Sequence, residues 1–185
     1  MGILDTLKAL FGHRPEAPRP ALQAEPEPLP EDRRRRARIN AREGTRVLII
    51  DDSKTIVTVL KKFLRSAGYE TIEALDAEAG LVQLRQHRPE LIFLDIMLPG
   101  MNGFAALRAI RRDSQTRDIP VIMMSGNEQA MEQFFGTRIG ADDFMKKPFS
   151  RHEVFFRIER LLDDALIPRR ATPRLVEPQL EPTGS

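Results

Sequence analysis

Several polar groups in this chain stand at the ends of apolar runs. Asp51 and Asp52 follow Val47-Leu48-Ile49-Ile50, and Asp95 follows Leu91-Ile92-Phe93-Leu94. Ser125 follows Val121-Ile122-Met123-Met124, Lys147-Pro148 follows the run opened by Phe144-Met145, and Gly103 closes the turn behind Asp95. Three carboxylates, a hydroxyl and an ammonium gathered in one crevice suit chemistry on a phosphoryl group. Two carboxylates brought to about 4 Å cost on the order of 4 kcal/mol at an effective dielectric of about 20. Lys147 offsets part of that. A hard divalent cation would offset the rest, and oxygen donors with no Cys or His beside them point to Mg2+. Such an ion needs only one or two carboxylates, which leaves one as a nucleophile.

Each group alone has a plainer reading. The acidic pair fits a helix N-terminus capped by Ser53. Ser125 or Asn127 fits a helix cap, Phe144 fits a core position and Lys147 a surface one. The chemical reading rests on the ordered set.

The elements that must position these groups are legible as periodicity. Apolar runs predict strands near 46–51, 69–74, 90–95, 119–124 and 142–146. Helical patterns lie between them near 54–67, 77–87, 104–112, 128–136 and 151–164. Ile56, Leu60, Phe63 and Leu64 share one face of the first helix. Ser150 and Glu153 stand at capping-box spacing before the last, with Phe149 and Val154 at the staple positions. This alternation predicts an α/β domain with a parallel sheet, right-handed crossovers and helices on both faces. Ligands of such sheets bind outside the carboxyl ends of the strands, where all five groups fall.

Composition divides the 185-residue chain. Residues 1–12 form a short amphipathic segment with Ile3, Leu4, Leu7, Leu10 and Phe11 at helical spacing. Residues 13–44 are rich in Pro, Glu, Ala and Arg, with a basic run from Arg33 to Arg38, and read as a disordered linker. The globular body spans 45–165, and 166–185 read as a disordered tail. Residues 45–164 carry 17 basic and 18 acidic side chains, so the body lacks the charge of a nucleic-acid binder. The Arg run reads as a solvated linker, with anionic lipid or nucleic acid as the sharper alternative. Weak membrane or partner contact is the expectation for residues 1–12. Cysteine is absent, so thiol chemistry and disulfides are excluded. No stretch approaches the roughly 20 apolar residues of a membrane span, and no signal peptide is apparent; a cytoplasmic location is expected. His13, His87 and His152 lack metal-ligand spacing.

Taken in order and spacing, Asp51-Asp52, Asp95 with Pro99 and Gly103, Ser125, Phe144 and Lys147-Pro148 resemble the receiver domain of bacterial two-component response regulators. The resemblance covers about 120 residues, nearly the whole body. It implies a flavodoxin-like receiver fold, a five-stranded parallel sheet in the order 2-1-3-4-5, with flexible tails. Carried over residue by residue, it implies Asp95 as phosphoacceptor and Asp51, Asp52, Asp95 and the Met97 backbone carbonyl as Mg2+ ligands. It implies Ser125 as switch hydroxyl, Phe144 as switch aromatic and Lys147 as phosphate-contacting lysine, with a cis Lys147-Pro148 bond. A narrower resemblance, to single-domain receivers of type IV pilus (twitching motility) chemosensory systems, is carried by Ile50-Asp51-Asp52-Ser53-Lys54-Thr55-Ile56, Ile92-Phe93-Leu94-Asp95-Ile96-Met97 and Pro120-Val121-Ile122-Met123-Met124-Ser125.

The implied function is phosphorylation-dependent signalling. A sensor histidine kinase or chemotaxis-type kinase would supply the phosphoryl group from a phosphohistidine, and an unnamed protein target would read the result. The output face would be the fourth helix, fifth strand and fifth helix, with Phe144 turning inward. Such a chain is a phosphoacceptor switch rather than an enzyme with turnover. Residues after Asp164 are too few for a helix-turn-helix domain, so direct DNA binding is not expected. Rival readings are a phosphate sink for a shared kinase, a binding module that never needs phosphate, and a Mg2+-dependent phosphatase with an aspartyl nucleophile. The last generally wants a second acid shortly after the nucleophile, where this chain has Met97.

Overall fold

A computed structural model describes residues 39–136 and 140–170. The amphipathic segment 1–12 and the Arg33–Arg38 run lie outside the described residues. Five strands form one sheet: β1 (Arg46–Ile50), β2 (Glu70–Ala74), β3 (Leu91–Asp95), β4 (Val121–Ser125) and β5 (Asp143–Lys146). They pair in the order β2-β1-β3-β4-β5, every pair parallel. Helices α1 (Lys54–Arg65), α2 (Ala77–His87), α3 (Gly103–Arg112), α4 (Glu128–Gly136) and α5 (Arg151–Glu159) alternate with them. Fold class and element sequence match the expectation from periodicity, and the strand order matches what the resemblance implies.

The continuous apolar runs serve two cores, because successive strand residues point to opposite faces. Leu48 and Ile50 of β1 join Ile92, Leu94, Val121 and Met123 beneath α2, α3 and α4. Val47 and Ile49 join Leu91, Phe93, Ile122 and Met124 beneath α1 and α5. β3 and β4 are buried at every position, as central strands of a doubly covered sheet must be. Helix starts are fixed by caps: Ser53, Asp76, Asn102 and Ser150 each accept the N–H three residues on. The register brings Ile50 beside Leu94, Asp95 beside Met124, and Ser125 beside Lys146. The polar groups that follow therefore share one edge.

Three boundaries differ from the sequence expectation. Residues 39–44, expected as linker, are packed. Ala41 is buried and donates its N–H to the Tyr69 hydroxyl at 2.8 Å, and Gly44 N–H reaches Gly68 O at 2.9 Å. The last helix was expected to reach 164, yet it ends at Glu159. The Asp163 carboxylate accepts from Ala165 N–H and Ile167 N–H at 3.0 and 2.9 Å. That local turn competes with helix continuation, and Pro168 has no N–H to extend one. The Ile167 amide, and then Arg169, hold the Asp163 carboxyl below its usual range.

The chain also stays on the domain past 165, where a tail was expected to begin. Leu162 bridges Pro168, Arg42 N–H reaches Leu166 O at 3.1 Å, and Arg170 reaches the base of β5. There the almost fully buried Asp142 carboxylate receives Arg111 at 2.8 Å and Arg170 at 3.2 Å, together with Val121 N–H at 2.8 Å. Burial lowers the Arg111 pKa to about 10, opposed by Asp142, so Arg111 stays charged at neutral pH. Removing one partner from a buried pair leaves the other uncompensated, at about 3–5 kcal/mol. Asp142→Ala is expected to cost that much, and Arg170→Ala, at a partly exposed group, about 1 kcal/mol. Urea unfolding of the two variants checks the order; a larger loss from Arg170→Ala than from Asp142→Ala contradicts the assignment.

Candidate functional site

The carboxyl edge of the sheet assembles the expected groups. Asp51 follows β1, with its own N–H bonded to Ala74 O at 3.1 Å. Asp95 ends β3, the central strand, and is almost fully buried. Asp51, Asp52 and Asp95 each present an oxygen within 4.8 Å of the others. Asp51 and Asp95 are buried while Asp52 is exposed, so the group opens to solvent on the Asp52 side.

Lys147 brings an ammonium to this edge. Its Nζ lies 2.5 Å from Asp51 Oδ2 and 3.0 Å from Asp95 Oδ2. The bond between Lys147 and Pro148 is cis. Lys147 is placed from below by its own N–H, which donates to Ser125 O at 2.8 Å. Burial pushes the Asp95 carboxyl above its usual range, and Asp51 adds to the rise; Lys147 and the Met97 amide oppose it. Asp51 Oδ1 accepts from Ser53 N–H at 3.0 Å, but Oδ2 is fully buried without an aligned hydrogen-bond donor, despite its ion pair. A buried, imperfectly satisfied carboxylate oxygen beside two further carboxylates fits a hard cation with oxygen ligands. Asp51, Asp52 and Asp95 are the side chains that would hold it.

Ser125 is fully buried, and its Oγ accepts from Asn127 N–H at 3.0 Å. Asn127 Oδ1 in turn accepts from Ala130 N–H at 3.0 Å, which fastens the loop to α4. Asn127 therefore takes the helix-capping role that the sequence left open between it and Ser125, and the Ser125 hydroxyl is not committed to α4. Phe144 departs from expectation. Its ring is already buried, packed against Phe134 of α4 with centroids 5.0 Å apart. A phenyl ring has no polar tip to favour solvent, so burial is its resting preference.

Gly103 permits the turn behind the acceptor. A Cβ there would lie 2.1 Å from Asp95 O, so no larger residue fits without moving β3. Met97 is 55% exposed and, with Asn127, borders a cavity of about 260 Å³ beside the site. Sequence reasoning missed Glu78, whose Oε1 accepts Met101 N–H at 3.2 Å and so fastens the loop after Asp95 to α2. Its separation of 23 residues leaves no local pattern to find.

A family model for the response regulator receiver domain matches residues 47–159. The Escherichia coli phosphate regulon transcriptional regulatory protein PhoB is 35% identical over 139 residues, covering 75% of this chain and 58% of that protein. The chain thus spans little more than half of such longer relatives. Protein PilH of Pseudomonas aeruginosa is 34% identical over 117 residues, covering 63% of this chain and 97% of that one. Among solved structures, the Vibrio cholerae chemotaxis protein CheY4 superposes with a TM-score of 0.60 at 29% identity, covering 64% of this chain and 99% of its own. A putative response regulator from Chloroflexus aurantiacus gives 0.59 at 31% identity, over 64% and 97%.

The raised Asp95 carboxyl has a thermodynamic consequence. The folded state binds its proton more tightly than the unfolded state, so its contribution to stability falls as pH rises through the folded pKa. Asp95→Asn is therefore expected to stabilise the metal-free protein at neutral pH. The gain should shrink as pH drops below the ordinary carboxylate range. Chemical unfolding across pH measures this; an Asn variant that is less stable at neutral pH contradicts the reading of the site.

Proposed function

The chain belongs to the response regulator receiver family, and on that premise we propose that it is a phosphorylation-controlled signalling switch with Asp95 as phosphoacceptor. The observation that carries the reading is the one ammonium shared by two buried carboxylates, Lys147 against Asp51 and Asp95. Such an arrangement is poised for an incoming group of negative oxygens. The phosphodonor would be a kinase phosphohistidine. One Asp95 carboxylate oxygen forms the new bond to phosphorus as the phosphorus–nitrogen bond of the donor breaks, and the electron pair returns to the imidazole.

Within this scheme Asp51, Asp52, Asp95 and the Met97 carbonyl would hold Mg2+, which when bound supplies positive charge against the phosphoryl oxygens. Lys147 neutralises a phosphoryl oxygen from the protein side. Its move from Asp95 to the phosphoryl group costs little, because the ammonium already lies at that edge. The acyl phosphate offers a new acceptor to the Ser125 hydroxyl, which would draw the Ser125–Asn127 loop toward Asp95. Asn127 fastens that loop to α4, so the pull reaches α4 directly. Phe144 already lies inward, so it would follow α4 through its contact with Phe134 rather than swing from solvent. The readout would be a changed α4–β5–α5 face offered to a protein target, a shift between two pre-existing arrangements.

The reading extends to a receiver of the type IV pilus chemosensory kind, supported by the near full-length match to PilH. The PhoB relatives are transcriptional regulators by name, and the matched part of this chain corresponds to only 58% of the Escherichia coli protein. No helix among the described residues is long and apolar enough to cross a membrane.

Acetyl phosphate with Mg2+ should label the wild-type chain and leave Asp95→Asn unlabelled on phosphate-affinity gels. Lys147→Ala should be labelled but fail to change its contacts with the target. Equal labelling of Asp95→Asn would dismiss Asp95 as acceptor. Met97 and Asn127 border the approach to Asp95 and neither is acidic, so self-hydrolysis should not be unusually fast. A half-life of only seconds, unmoved by Met97→Asn or Asn127→Glu, contradicts that.

A further inference from the structure

The outward side of α2 and α3 takes no part in the site or the proposed switch, yet it combines exposed apolar groups with unpaired cations. On α2, Ala79, Val82 and Gln86 follow one another at helical spacing and all are exposed, while Ala77, Gly80 and Leu84 face the core. Val82 is 49% exposed, and Leu75, just before the helix, is 39% exposed. On α3, Ala105, Arg108, Ala109 and Arg112 run along the side away from the buried Phe104, Ala106, Leu107 and Ile110.

The charge on this face is unbalanced. Its acids are already engaged: Asp113 pairs with Arg85 at 3.6 Å, Glu78 accepts Met101 N–H, and Asp76 accepts Ala79 N–H at the helix start. Arg88, Arg108 and Arg112 have no ion-pair partner among the described residues. The plain account is that cations favour helix C-termini, which explains Arg85, Arg88 and Arg112. It does not explain Arg108, which precedes the last turn of α3, nor two exposed large aliphatic side chains alongside. Apolar groups flanked by cations are complementary to an amphipathic segment with acidic flanks. α2 is about 16 Å long, so roughly three turns of a partner helix would span it.

We propose that the α2–α3 face docks an acidic amphipathic helix of a partner protein. Leu75, Ala79 and Val82 meet its apolar stripe, and Arg88, Arg108 and Arg112 meet its carboxylates. The face has a physical route to the site, because Glu78 joins α2 to the loop that carries Met97. Its groups are nevertheless separate from Lys147 and the carboxylates, so docking does not require a phosphoryl group on Asp95.

The test uses the full chain and two fluorescent amphipathic helical peptides that share a leucine stripe. One carries glutamates on its polar face and the other lysines. Anisotropy should show the glutamate peptide binding at least about tenfold tighter than the lysine peptide. Arg108→Glu with Arg112→Glu should abolish that preference, and Val82→Asp should weaken the glutamate peptide separately. Asp95→Asn should bind like wild type, which keeps this outcome distinct from failure of the phosphorylation reading. Circular dichroism checks the fold of each variant, with Arg108→Gln and Arg112→Gln as substitutes if the reversal unfolds. Equal binding of both peptides, or binding unmoved by the α3 and Val82 variants, overturns the proposal. Capture by anionic phosphatidylglycerol vesicles with no peptide binding also overturns it, and assigns the face to lipid.

Discussion

One ammonium placed against two buried carboxylates is the constraint around which the carboxyl edge of this sheet is arranged. Lys147 cannot satisfy Asp51 and Asp95 fully: Asp51 Oδ2 lacks an aligned donor, and burial still raises Asp95. In a fold built for stability alone such crowding would be replaced by apolar packing, often without loss. Here the neighbouring elements hold it in place. β3 delivers Asp95 from the middle of the sheet, Gly103 lets the following turn close over it, and Ser125 O fixes the Lys147 backbone. The rigidity of two apolar cores is spent on keeping like charges together.

That local conflict gives the proposed switch its direction. A cation and a phosphoryl group add the charges that the resting site lacks, so their arrival should tighten the same edge that is strained without them. Ser125 is placed to sense the change because its hydroxyl is not used to cap α4. Asn127 does that work and, in the proposed switch, would transmit movement of the loop. The opposite edge of the sheet is treated differently. There Arg111 and Arg170 close on Asp142, and the entering and leaving segments meet through Arg42 and Leu166. The base is clamped by these ion pairs and hydrogen bonds.

Much of this was legible in the sequence, for identifiable reasons. Uninterrupted apolar runs such as Leu91-Ile92-Phe93-Leu94 are what strands covered on both faces require, and they gave the parallel sheet. The site was legible because each of its groups directly follows such a run. What failed depended on contacts between distant residues. The Asp142 clamp joins positions about thirty apart, with no periodic signal. The last helix looked longer because Leu161 and Leu162 continue an apolar pattern, while the Asp163 turn that stops it is a side-chain event. The packed residues 39–44 looked like linker because several of their anchors are backbone hydrogen bonds to distant residues, which composition does not reveal.

The central claim is that the carboxyl edge is incomplete without added charge. Differential scanning calorimetry of the full chain without Mg2+, with Mg2+, and with Mg2+ plus beryllofluoride tests it most directly. The account predicts a stepwise rise in unfolding temperature, with saturating Mg2+ at about a hundred times its Kd contributing about 2.7 kcal/mol. An unfolding temperature that is unchanged across all three conditions would contradict it.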